Sequence, residues 1–189
     1  MAAVESTVCQ FDWPAVDFDL MGVDGKRYDL STVKGPKGLL LMFICNHCPF
    51  VKSIRDRIVR DCLELQKQGV GSVAIMSNDP AEHEEDSFAN MQIVAKRYGF
   101  PFPYLLDDTQ MVAKQYGAVC TPEFFGFNAA LKLQYHGRLD ESRRDPVPNA
   151  RRELFEAMKQ IAATGKGPAT QFASIGCSIK WRSAKVRKE

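Results

Sequence analysis

The sequence predicts an α/β fold built around one buried strand. Three observations predict it. Residues Leu39 to Ile44 form a short, continuous apolar run, as in a strand covered on both faces. A 3.6-residue period follows directly, with Phe50, Ile54, Ile58, Cys62 and Leu65 on one side. Strand-like and helix-like stretches then alternate to about residue 163. At 189 residues and 45% apolar composition, the chain is long enough for one domain with a sizeable core.

Residues 1 to 15 carry no period. Val16 to Leu20 and Arg27 to Leu30 alternate around a Val23-Asp24-Gly25 turn, which predicts a β-hairpin. A loop from Ser31 to Gly38 leads into the buried strand. Pro49 suits the first helical turn, where N–H groups lack partners, and Gly69 suits the helix end. On that helix Arg55, Arg57, Arg60, Asp61 and Glu64 lie mainly off the apolar stripe and are expected in water, with Cys62 in the core. Val70 to Ser77 is a second strand. The acids Glu82, Glu84, Glu85 and Asp86 read as a solvated helix entry, with His83 on the surface. The helix after them spans Ser87 to Tyr98. Tyr104 to Leu106 is a short strand, and a short helix ends at Tyr116. Glu123 to Asn128 and Leu131 to Tyr135 form a hairpin. The last helix runs from about Asn149 to Ala163. Residues 169 to 189 show no period and are expected to form a tail on a domain of residues 1–168, its final basic residues mobile and Trp181 packing it down.

Several function classes are disfavoured by the bulk properties. A net charge of +2, from 25 basic and 23 acidic side chains, offers no broad basic face for nucleic acid. No apolar run approaches a membrane span, and the N-terminus lacks a secretory pattern. Six cysteines are too sparse for a disulfide scaffold, so a reducing, cytoplasmic setting is expected. No glycine-rich phosphate loop is present, so no organic cofactor is implied.

The chemistry gathers at Cys45-Asn46-His47-Cys48, between the buried strand and the helix. Spacing of three residues on a first helical turn brings two sulfurs within bonding reach. There the helix dipole favours a thiolate, the form that attacks disulfides. The expectation is an exposed, ionised Cys45 with Cys48 behind it. His47 is expected to lower the thiol pKa further and make the pair more oxidising.

This element order, with Cys120-Thr121-Pro122, His136-Gly-Arg-Leu-Asp140 and Ser174-Ile-Gly-Cys-Ser-Ile-Lys-Trp181, resembles the thioredoxin-like fold. The likeness is to peroxiredoxin-like proteins related to the alkyl hydroperoxide reductase/TSA group. The resemblance implies a central mixed β-sheet flanked by helices, with an N-terminal β-hairpin extension. It implies thiol-disulfide exchange, Cys45 as nucleophile, Cys48 as resolving cysteine, and a cis-Pro122 facing them. Asn46, Thr121 and Pro122 would bind substrate, and Cys120 is a candidate additional redox thiol. Partners would be protein or small-molecule disulfides and a recycling reductant, with the protein a monomer or homodimer.

Two departures matter. The strand before the cysteines contains no carboxylate to accept a buried cysteine's proton. The peroxidase pattern Pro-x-x-x-Thr-x-x-Cys would place its cysteine at Cys48, but Leu41 and Cys45 occupy the proline and threonine positions. Peroxide reduction is therefore an alternative. So is a zinc, copper or iron–sulfur site built on Cys45, Cys48 and Cys120, although no metal is expected in the working protein.

Overall fold

The structure, a computed structural model, describes residues 3–81 and 83–182. In chain order the elements are β1 (Ala3–Glu5), β2 (Leu20–Gly22), β3 (Arg27–Tyr28), α1 (Leu30–Val33), β4 (Gly38–Phe43), α2 (Pro49–Lys67) and β5 (Val70–Met76). A 3-10 turn, Glu84–Asp86, leads to α3 (Phe88–Tyr98), β6 (Tyr104–Leu106), α4 (Met111–Tyr116) and β7 (Cys120–Thr121). Then come β8 (Glu123–Asn128), β9 (Leu133–Gly137), α5 (Glu153–Thr164) and β10 (Ile175–Ser178).

Strand β4 is buried on both faces, and its side chains divide by the two-residue period of a strand. Leu40 and Met42 pack among residues of α2 and α5; Leu39, Leu41 and Phe43 pack among residues of α1 and α4. Each such burial stabilises the fold by about 1.5–3 kcal/mol. Helix α2 covers the first face with Phe50, Ile54, Ile58, Cys62 and Leu65, all buried. Gln68 caps its end, and Gly69 follows at φ 85°, a left-handed geometry that glycine adopts without a Cβ penalty.

The central sheet is mixed and flanked by helices. β5 and β6 run parallel, while β2 pairs antiparallel with both β3 and β6, and β4 pairs antiparallel with β8 and β8 with β9. Beyond β4, the Ile44 N–H donates to Ile75 O at 3.1 Å, tying the two halves together. The expected N-terminal hairpin is β2–β3, shorter than its alternating pattern.

Four expectations are corrected. Arg55 and Asp61 are buried, not wet. The Arg55 guanidinium lies 4.3 Å from the Tyr98 ring centroid, and Asp61 accepts from Arg152 Nη2 at 2.7 Å, joining α2 to the start of α5. The tail contains a strand: β10 pairs with β1 and β7 in a second, three-stranded sheet. Helix α5 starts at Glu153, not Asn149. Trp181 is 42% exposed, with the Lys114 ammonium 5.7 Å from its ring centroid. Of the expected basic end, Lys180 and Arg182 are fixed, Arg182 to Asp108; Lys185, Arg187 and Lys188 lie outside the described residues, as does Glu82.

Candidate functional site

Strand β4 ends at Phe43 and α2 begins at Pro49, so Cys45 to His47 form the turn between them. Cys48, not Cys45, is the helix N-cap. Pro49 at the next position has no N–H to leave unpaired. The dipole argument made for the first cysteine therefore applies to the second.

Both sulfurs are sheltered. Cys45 is 1% exposed and Cys48 0%, which corrects the expectation of an exposed Cys45. The two thiols act on each other's ionisation, Cys45 lowering Cys48 and Cys48 raising Cys45. Both also touch the Thr121-Pro122 loop, whose peptide bond is cis. Cys45 Sγ lies 3.2 Å from Thr121 Oγ1, and Cys48 Sγ lies 3.1 Å from Thr121 O.

This pair shares its ionisation, with a first proton lost low and a second lost high. Cys48 carries the lowered value, about 5. The Cys45 thiol is the main cause; the Cys177 thiol and the Val51 and Cys177 N–H groups assist against the burial penalty. The sulfur makes no full capping bond, because Val51 N–H bonds the Cys48 carbonyl at 3.1 Å. Ionisation gives up the thiol contact to Thr121 O, which only S–H can make. Burial pushes the Cys45 thiol well up, and the Cys48 anion and Asp86 add to it. The expected low-pKa Cys45 is thus corrected.

Asp86 explains much of this turn. It is fully buried, where a solvated helix entry was expected. One oxygen accepts from the Asn46 N–H at 2.8 Å and the His47 N–H at 3.1 Å; the other accepts from Asn78 Nδ2 at 2.8 Å and faces His47 Nδ1 at 2.6 Å. These donors outweigh burial and hold its carboxyl below the usual carboxylate range. His47 Nδ1 is also 3.6 Å from Cys45 Sγ. The His47 ring stacks on His83, with centroids 3.9 Å apart, so His83 belongs to the site. No local period links residue 86 to residue 46; an acidic run before a helix is the one signal in the chain.

The other expected site residues divide. Asn46 is buried, its amide donating to Glu85 O at 2.7 Å and accepting from the Tyr104 hydroxyl at 3.1 Å. These two bonds tie its amide into the turn. Pro122 lines a cleft with Phe50, Ile54, Phe124 and Leu139. Cys120 lies 3.7 Å from Glu123 Oε2, and burial and that carboxylate push its pKa up. Charge on Cys48 or Cys177 pushes it further in the same direction. Glu123 is itself buried, paired with His136 at 2.7 Å and accepting from the Cys120 N–H at 3.1 Å. Cys62 is buried in the core, and burial pushes its thiol up to about 12.

The metal set Cys45, Cys48 and Cys120 is not assembled. Among the described residues, Cys45, His47 and Asp86 have ligand spacing, within 4.8 Å of one another. There each Asp86 oxygen already accepts N–H groups of the turn or its neighbours. No helix among the described residues is long and apolar enough to cross a membrane.

A search of curated proteins found no match. A solved structure described as an uncharacterized conserved protein of Geobacillus kaustophilus is 44% identical, covering 97% of this chain and 98% of its own, with TM-score 0.92. A hypothetical protein of Sinorhizobium meliloti 1021 is 36% identical over 95% and 99% of the two chains, with TM-score 0.89. A secreted Mycobacterium tuberculosis disulfide oxidoreductase, 18% identical over 77% and 95%, shares the fold at TM-score 0.56. The model of the AhpC/TSA family matches residues 12–136, from ahead of the hairpin to β9 and across both cysteines and the Thr-Pro loop. With two thirds of the sequence matched and the thioredoxin-like architecture around the cysteine pair, this chain belongs to the AhpC/TSA family, whose general activity is thiol-based redox chemistry.

Proposed function

We propose that the protein is a thiol-disulfide oxidoreductase working through Cys45 and Cys48, with Cys48 as the attacking sulfur. The observation that carries this reading is the gathering of both sulfurs on Thr121 at the start of α2, Cys45 Sγ 3.2 Å from its hydroxyl and Cys48 Sγ 3.1 Å from its carbonyl. The Cys48 thiolate attacks one sulfur of a substrate disulfide. A Cys48–substrate bond forms and the other substrate sulfur leaves as a thiolate. Cys45 then attacks Cys48, the Cys48–substrate bond breaks and the second substrate sulfur leaves with the Cys45 proton, while the first takes its proton from solvent. Substrate is reduced by two electrons as the pair is oxidised by two. Because both cysteines are nearly inaccessible, small disulfides fit this site better than bulky protein ones. A reductant in the cell recycles the pair, and no organic cofactor takes part.

Hydrogen peroxide reduction is the second reading, favoured by one observation: a lowered thiol at a helix N-cap. Stopped-flow exchange with a small aromatic disulfide, and separately with hydrogen peroxide, tests both. Cys48→Ser is expected to lose disulfide exchange by more than 100-fold. Oxidised wild type is expected to carry Cys45 and Cys48 joined within tryptic peptide 38–52. In wild type, the rate of iodoacetamide modification at Cys48 should be half-maximal near pH 5. Retained exchange in Cys48→Ser would remove this assignment, and peroxide consumption much faster than disulfide exchange would move it to the peroxidase.

A further inference from the structure

Cys48 has a second sulfur neighbour that this cycle does not use. Cys177 lies in the Ser174-to-Trp181 segment, 129 residues on in sequence, and is 2% exposed. Strand β10 brings it there by pairing with β7, in a register that sets Cys177 opposite Thr121. The placement is close-fitting. A Cβ on Gly176 would stand 2.1 Å from Thr121 O, so only glycine lets the strand approach this near. The segment is also held on both sides. The Ser174 hydroxyl donates to Gly137 O at 2.6 Å, Ile179 N–H to Val119 O at 3.1 Å, and Lys180 N–H to Asn78 Oδ1 at 2.9 Å.

Cys177 stands opposite Thr121, whose carbonyl meets the Cys48 sulfur at 3.1 Å, and both cysteines lie in one buried cluster. Cys48 thus sits between two thiols, Cys45 from the turn and Cys177 from the tail. Burial first, then the Cys48 anion, pushes the Cys177 thiol up to about 12; Lys180 and Arg144 act in the other direction. Once Cys48 is bonded to another sulfur its charge is gone, while the two cationic side chains remain. Cys177 then becomes easier to ionise at the moment its attack is useful.

We propose that Cys177 is a second resolving thiol, able to close a Cys48–Cys177 disulfide that fixes β10 to the start of α2. The proposal rests on Cys48 being the attacking sulfur in the proposed function. Two balanced routes lead to it. In one, Cys177 attacks Cys48 in the mixed disulfide, and the substrate thiolate leaves with the Cys177 proton. In the other, it attacks Cys48 in the Cys45–Cys48 disulfide. The Cys48–Cys177 bond forms, the Cys45–Cys48 bond breaks, and the proton passes to Cys45 with no net electron change. Either route frees Cys45 while Cys48 stays oxidised.

Trypsin separates the reactants cleanly. Cys45 and Cys48 share peptide 38–52, Cys177 lies in 167–180, and Cys120 in 115–132. The full chain is treated with a small aromatic disulfide, blocked with N-ethylmaleimide, digested and mapped by mass spectrometry. In Cys45→Ser, the mixed disulfide on Cys48 is expected to resolve to a link between peptides 38–52 and 167–180. In Cys45→Ser with Cys177→Ser, that mixed disulfide is expected to persist at least 10-fold longer. Cys45→Ala serves as the second host should the serine variant fail to fold. A persistent mixed disulfide with free Cys177 in the single variant would overturn the proposal while leaving the Cys48 assignment intact. Exclusive linking of Cys177 to Cys120 would also overturn it. Absence of any adduct on Cys48 would instead remove the proposed function itself.

Discussion

Asp86 shows how one side chain can define a reactive turn. Its two oxygens take up both backbone N–H groups of Asn46 and His47, the His47 ring and the Asn78 amide. A buried donor left without its acceptor costs about 1–3 kcal/mol, more when a charge is involved. Asp86→Ala is expected to destabilise the protein by at least about 3 kcal/mol, and Asp86→Asn by less, read by urea unfolding. The sign of its pH dependence follows from the lowered carboxyl. The stabilisation is fully present above the unfolded-state value of about 3.9 and is lost as pH falls through the lower folded-state value. Wild type should therefore lose stability below about pH 4 more steeply than Asp86→Asn, and parallel acid-unfolding curves would reject this account. The same carboxylate also stands where the sequence offered none. The strand before the cysteines has no acid, but the 3-10 turn Glu84–Asp86 delivers one to Cys45 from another direction.

At the scale of elements, the site is an agreement between α2, β7 and β10. Helix α2 sets Cys48 at its N-cap, β7 presents Thr121 to both sulfurs, and β10 closes the third side. Gly176 is the tightest point of that agreement. Gly176→Ala must push β10 away from Thr121 O, a backbone atom that cannot turn aside. The expected result is a loss of about 1–3 kcal/mol in stability and a Cys48 thiol titrating above its present value of about 5, since Cys177 retreats. Iodoacetamide rates against pH measure this, and an unchanged Cys48 midpoint would mean that β10 does not tune the site. Legibility in sequence differed among these elements. Helix α2 was readable because a 3.6-residue period and a following glycine are local signals. Strand β10 was not, being four residues long and partnered by segments far away in sequence, so its pairing leaves little local pattern.

For the molecule as a whole, the thiol pair links redox state, pH and stability. Cys48 ionises near pH 5 in the folded dithiol form but near 8.5 in an unfolded chain. A depressed acid group stabilises the fold fully above the unfolded value, and that gain disappears as pH falls through the folded value. The melting temperature of reduced wild type, minus that of Cys48→Ser, is therefore expected to rise between about pH 5 and pH 8.5. A pH-independent difference over that window would contradict the assigned thiolate. A lowered thiol also stabilises the reduced form, so the pair should be oxidising. The oxidised protein should then melt several degrees below the reduced one, on the scale of about 2–4 °C per kcal/mol for a chain of this size.

What the sequence by itself determined was the framework: the buried strand, the amphipathic helix behind it, the hairpins, and two cysteines at their junction. These follow from hydrophobic period, turn residues and spacing, which act over a few neighbours at a time. Only the tertiary structure decided which cysteine caps the helix, how little of either is exposed, and that Asp86 and Cys177 complete the surroundings. Those properties depend on burial and on partners delivered from 38 and 129 residues beyond Cys48 in the chain, and electrostatics at a buried sulfur responds to distance in space.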